Sequence, residues 1–130
     1  MIPKFRAWDK RENTMRDVAV LHFTKGGKVN SIEYWKTPSE LKSYHVRNLV
    51  LMQSTGLRDK NGVEIFEGDL VEHDDNINGT WETFEACEIV YDVDYAQFCF
   101  KNDASNFLSY YRNLCIIGNI HENPELLEVK

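Results

Sequence analysis

The densest set of groups able to do chemistry lies between Glu64 and Asp75. There Glu64, Glu67, Asp69, Glu72, His73, Asp74 and Asp75 place six carboxylates and an imidazole within twelve residues. Two or three oxygens from such a set can hold a divalent cation. The spacing is not that of an EF-hand loop, and along a strand Asp69 to Asp75 would send alternate acids to opposite faces. The expectation is therefore a solvated strand edge and turn, with a cation site as the alternative. Glu67 and Asp69, on either side of Gly68, are expected to satisfy backbone donors of a bend.

Other chemistry finds less support. His22, His45, His73 and His121 never stand at H-x-x-x-H or H-E-x-x-H spacing, and Cys87, Cys99 and Cys115 form no C-x-x-C pair. A zinc site has no local framework, and structural histidines are expected. Cys99 sits between Phe98 and Phe100 without a flanking base, as a small hydrophobe would, and no G-x-S-x-G occurs. Neither phosphate-cradling glycine pattern is present. The expectation is a non-enzyme with no cofactor, no metal ligand and no catalytic residue.

The segments that would carry these groups read as short strands. Pro3 to Trp8, Arg16 to Phe23 and Val29 to Trp35 form a β-meander, with Gly26-Gly27 as a hairpin signal. Thr37-Pro38-Ser39-Glu40 has a capping-box pattern with proline at the first helical position, which predicts a short helix to about Tyr44. Val46 to Met52 then predicts a strand entering a turn-rich stretch built on Gly56, Asp59, Asn61-Gly62 and Glu67-Gly68-Asp69. A strand from Asp69, a primed turn at Asn78-Gly79, a long return strand from Trp81 to Tyr91 and a third through Phe98 and Phe100 make a second meander. Phe107 to Tyr111 reads as a helical turn or irregular aromatic packing, Leu114 to Ile117 as the last strand, and Pro124 to Leu127 as a short terminal helix. Together these predict one mainly β domain over residues 1–130, a small barrel or sandwich. Its 1–60 segment would be a basic meander and its 61–130 segment an acidic, SH3-like barrel.

Three blocks carry a resemblance. The stretch from Leu51 to Glu72 is similar to the central signature of the YopX family of phage and prophage proteins. Ile2 to Lys10, with Phe5-Arg6-Ala7-Trp8-Asp9, resembles the family's opening, and Ile117 to Leu127 resembles its close through Gly118-Asn119 and Asn123-Pro124. The departures are Ser54, where an aromatic is usual, and His121, where a tyrosine is usual. The resemblance implies a mainly β, uncharacterised and homo-oligomeric protein of phages of Gram-positive bacteria, with no established reaction. It also marks Trp8, Gly56, Asp59, Asn61, Gly62, Glu67, Gly68, Asp69, Gly118, Asn119, Asn123 and Pro124 as structural positions.

At 130 residues the chain can bury a core without staples, and its net charge is −6. The charge is divided: residues 1–60 carry 12 Lys and Arg against 6 Asp and Glu, whereas 61–100 carry 11 acids and no Lys or Arg. Such a division is neutralised across the fold or between subunits, and a homo-oligomer of preferably three chains is expected. Arg6, Arg11, Arg16, Lys25 and Trp35 are the candidate contacts to an anion or partner, with exposed Trp8 or Trp35 as the apolar anchor. The partner is an unknown phage or host protein. A nucleic-acid-associated factor using the basic half is the second possibility, and an enzyme using the acidic cluster the third. Three scattered cysteines, no apolar leader and no run of about 18 apolar residues predict a bacterial cytoplasmic protein that does not cross a membrane.

Overall fold

The structure is a computed structural model that describes residues 4–77, 79–101, 103–107 and 113–127, with 75–77 and 103–107 described at the level of strand pairing. It is mainly β. Backbone contacts divide the chain into two compact units, Met1–Gln53 and Ser54–Lys130, the divide falling inside one strand.

The first unit opens with β1 (Phe5–Asp9), β2 (Thr14–Phe23), β3 (Val29–Thr37) and β4 (Glu40–His45), antiparallel in the order β4-β3-β2-β1. A 3-10 turn at Val46–Asn48 leads into β5 (Leu49–Arg58), whose first half pairs with β1 from Phe5↔Gln53 to Asp9↔Leu49. Alternation along the strands gathers Ala7, Ile32, Tyr34 and Leu49 into a core, flanked by Val18, Leu21, Val29, Tyr44 and Leu51. The helix predicted after Thr37 does not form. Thr37 pairs with Glu40 across a two-residue turn at Pro38-Ser39, and β4 runs back along β3. Thr-Pro-Ser caps a helix and turns a hairpin equally well, and seven residues are too few to repay helix nucleation when β3 offers a ready edge.

β2 changes neighbours halfway. Thr14 to Asp17 pair with β1, whereas Val18 to Phe23 pair with β3. Since β1 and β3 lie on opposite sides of β2, the β1-side edge of Val18–Phe23 has no strand beside it among the described residues.

In the second unit the rest of β5 pairs with β6 (Glu64–Phe66). β7 (Asp69–Ile77), β8 (Thr80–Asp92), β9 (Gln97–Phe100), β10 (Asp103–Phe107) and β11 (Cys115–Asn119) form an antiparallel sheet in the order β10-β9-β8-β7-β11. Ile65, Val71, Ile89, Phe100 and Leu114 are its core, packed against Leu57, Cys87, Phe98 and Ile116. The predicted SH3-like closure is not found: β10 and β11 are open ends of this sheet among the described residues. Among the described residues no ladder joins β10 to β11, and closure requires that pairing. The terminal helix is a 3-10 turn, Pro124–Leu127. The aromatic stretch from Phe107 to Tyr111 falls almost wholly outside the described residues, as does Asn78. Ile77 pairs with Thr80 and Gly79 has φ +86°, as a two-residue primed turn requires.

Two bulges shape the long strands. In β5, Thr55, Gly56 and Leu57 stand against Ile65 alone, with Gly56 at φ +80°. In β8, Glu85 and Ala86 stand opposite Glu72, and Ala86 takes φ +54° without being a glycine.

Candidate functional site

The signature residues converge on turns, and their polar atoms face the backbone. Asp59 opens the tightest of these. Its Oδ1 accepts from the amides of Asn61 and Val63, both at 2.9 Å, and its Oδ2 accepts from Ile116 at 3.1 Å. Gly62 closes the turn at φ +82°, donating to the Asp59 carbonyl at 3.0 Å. Burial pushes the Asp59 carboxyl up, but the amides of Ile116, Val63 and Asn61, with Lys60 beside them, outweigh it and hold it below its ordinary value. A carboxylate so held is ionised at neutral pH, with both oxygens engaged by backbone amides.

The next bend repeats the device. Gly68 has φ +83°, donates to the Ile89 carbonyl and accepts from Ile120, both at 2.9 Å. Asp69, 2% exposed, accepts from the Phe66 amide at 2.8 Å. Across the strand pair it faces Asn119, whose Oδ1 accepts from His121 and Glu122 and whose Nδ2 donates to Glu122 at 2.7 Å. Asn123 in turn accepts from the Asn119 amide at 3.2 Å. A Cβ at Gly118 would stand 2.5 Å from Asn123 Oδ1, so any larger residue there must displace the Asn123 side chain. The central and C-terminal blocks are thus one structural knot. Glu67 is half-buried beside Gly68, and Pro124 starts the terminal 3-10 turn.

In the first unit, buried Asp9 plays a similar part, accepting from Arg11 N at 3.0 Å and from Arg16 at 3.4 Å. Arg16 also pairs with Glu12 and lies over the Tyr34 ring, and Arg11 lies over Tyr44. Arg6 pairs with Asp17 and Ala7 with Arg16, so Arg6 and Arg16 belong to opposite faces of the sheet. The candidate anion contacts therefore do not form one basic face. Trp8 is buried at 8% exposure, so it is no surface anchor; Trp35 is 45% exposed and Lys25 is exposed. Trp8 follows Ala7 in a strand buried on both faces, which its alternation with charged residues disguised.

The acidic cluster is dispersed. Ser54 donates to Glu64, Thr83 donates to Asp74 at 2.6 Å, Asp69 points into the turn, and His73 is stacked between Phe84 and Phe100 at 5.2 and 4.7 Å. Among the described residues no three His, Cys, Asp or Glu side chains converge as cation ligands. Cys99 is buried in the core region, and burial pushes the Cys87 thiol up.

Sequence reasoning missed one concave feature. An open groove of about 910 Å³ lies along the uncovered stretch of β2, walled by Phe5, Val18, Val20, Leu21, Phe23 and Val29, with Lys4 and Gln53 at its end. It arises because β2 has ten residues against five in β1, a difference larger than that between the predicted strands.

In this mainly β chain the signature polar groups tie turns. The family profile described as YopX protein matches residues 4–128, nearly the whole chain, and the chain belongs to the YopX family. It is also similar to a crystal structure of protein EF1440 from Enterococcus faecalis, with 33% identity, a TM-score of 0.68, and coverage of 98% of this chain and 99% of that one. No protein with a curated description matches it. No helix among the described residues is long and apolar enough to cross a membrane.

Proposed function

We propose that the chain is a non-enzymatic binding and assembly protein, carried by a phage or prophage and acting in the cytoplasm of the bacterial host. It works as a homo-oligomer, preferably of three subunits joined head to tail, the basic first unit of one copy meeting the acidic middle of the next. The observation that carries this reading is the fate of the signature side chains. Asp59, Asp69 and Asn119 are each buried and spend their polar atoms largely on neighbouring backbone, which leaves little for a substrate. Large apolar groups meanwhile stand at the surface: Phe23 is 60% exposed, Trp35 45% and Trp81 67%. Aromatic anchors of this kind carry binding energy, while opposed charges steer and orient.

Light scattering over protein concentration at low and high ionic strength tests the reading. The expected result is a mass above that of one chain, falling as salt screens the contact. A monomer at every concentration at low ionic strength overturns the assembly reading. Thermal melting with micromolar Zn²⁺, Ca²⁺ or Mg²⁺ tests the other half: no shift is expected, and a rise of several degrees would restore a metal-dependent enzyme, since a ligand of the native state must stabilise it.

A further inference from the structure

Two of the strand edges that have no strand beside them among the described residues are similar in length and opposite in character. The first is the β1-side edge of Val18–Phe23, which lies in the apolar groove of the first unit. Lys4 lines one end of that groove, and the turn between Phe23 and Val29 carries exposed Lys25 and Lys28. The second belongs to the distal half of the β7–β8 ribbon. β9 pairs only with Ile89–Asp92 of β8, and β11 only with Asp69–Glu72 of β7. Beyond the bulge at Glu85-Ala86, Thr80–Phe84 therefore pairs with β7 alone among the described residues. This arm carries the exposed Trp81 and Glu82, with exposed Glu85 at the bulge beside it, and no Lys or Arg.

An uncovered edge offers a row of amides and carbonyls to another strand, and a long exposed one is retained at some risk of aggregation. Here the two edges complement each other. One brings apolar walls and lysines, the other an indole and glutamates, and neither is self-complementary in charge. A symmetric pairing of two grooves would oppose lysine to lysine, and of two arms glutamate to glutamate. A head-to-tail pairing opposes unlike charges and buries the most exposed indole of the arm.

We infer that the occupant of the β2 groove is the Thr80–Glu85 edge of a second copy. It adds as a strand to Val18–Phe23, with Trp81 against the apolar walls and Glu82 and Glu85 toward Lys25 and Lys28. This names the surface for the self-association proposed above and rests on that reading. It also assigns the bulge at Glu85-Ala86 a task, since a bulge bends and twists its strand and so sets the direction of the arm.

Charge exchange tests the pairing in the full-length chain. In sedimentation equilibrium at low salt, Lys25→Glu/Lys28→Glu and Glu82→Lys/Glu85→Lys should each dissociate at protein concentrations about tenfold above wild type. An equimolar mixture of the two should associate more strongly than either variant alone, because every contact between unlike chains matches in charge, two of the three in a closed trimer. Trp81→Ser should weaken association alone and in either mixture. All five positions are exposed, and unchanged circular dichroism melts establish that the variants fold. Double variants that associate as wild type does, or a mixture that fails to recover, overturn this surface while leaving self-association standing. A wild-type chain that stays monomeric overturns both.

Discussion

The two halves of the β7–β8 ribbon are built to opposite rules. The proximal half is held on both sides: β11 pairs with Asp69–Glu72, β9 with Ile89–Asp92, and Leu70, Val71 and Ile89 are fully buried. The distal half beyond Ala86 has only its own hairpin partner among the described residues, and Trp81, Glu82 and Thr83 are exposed. The signature residues gather round the proximal half, and the distal half has none. On the pairing proposed above, fold and partner selection occupy different lengths of the same two strands. Substitutions in the proximal half should cost stability, and those in the distal half should cost association.

The sharpest break in that division is Gly68→Val. A β-branched residue at φ +83° is strained, and relaxing the strain would pull apart the hydrogen bonds to Ile89 and from Ile120. A loss of about 3 kcal/mol or more is expected in denaturant unfolding. An unchanged transition would mean that the bend is not what anchors β7.

Asp59→Asn comes next. The amide can keep an acceptor toward Asn61 and Val63, but then presents its NH₂ to the Ile116 amide, donor against donor. A loss of about 2 kcal/mol at neutral pH is expected. The dependence on pH has a definite sign. The folded-state value of Asp59 is lowered, so its contribution is complete above the unfolded carboxylate value of about 3.9 and is lost as pH falls through the lower folded value. The gap between wild type and variant should therefore be widest near neutrality and narrow below about pH 4. A gap that widened on acidification would contradict the hydrogen-bond account.

Gly118→Ala should cost about 1–2 kcal/mol, because the new Cβ displaces the Asn123 side chain that accepts from the Asn119 amide. Pairing it with Asn123→Ala separates the two causes. If crowding is the source, the double variant loses less than the sum of the two single losses.

How far the sequence disclosed this arrangement depends on whether a feature is written in local residue types. Gly56, Gly62 and Gly68 were legible because positive φ selects glycine, and Asp59 because an aspartate before Asn-Gly closes a turn. The strands before and after the central block were legible from their alternation. The Pro38 turn was not, since its residues serve a helix start equally well, and the decision lay with β3. Trp8 misled because burial on both faces of β1 depends on what lies across it. The open sheet, the β2 groove and the distal β7–β8 ribbon are, among the described residues, differences in strand length between partners that pair at a distance in sequence, and composition does not record those.

The smallest effect is expected at Ala86, and its sign is opposite. Ala86 holds φ +54° at the boundary between the two halves of the ribbon, where an L-residue with a Cβ is disfavoured by about 1–2 kcal/mol. Glycine removes that strain and returns part of the gain as extra freedom of the unfolded chain, about 0.4–1 kcal/mol. Ala86→Gly should therefore stabilise the monomer slightly, by about 0.5 kcal/mol, with the bulge geometry retained. Its value lies in the comparison with association. If the bulge directs the arm, a looser hinge gains stability and loses affinity for the second copy, a pairing of signs that neither a simple packing defect nor a simple surface change produces. Melting and sedimentation on the same sample read both quantities, and a variant that lost stability would place the boundary between the two halves elsewhere than at Glu85-Ala86.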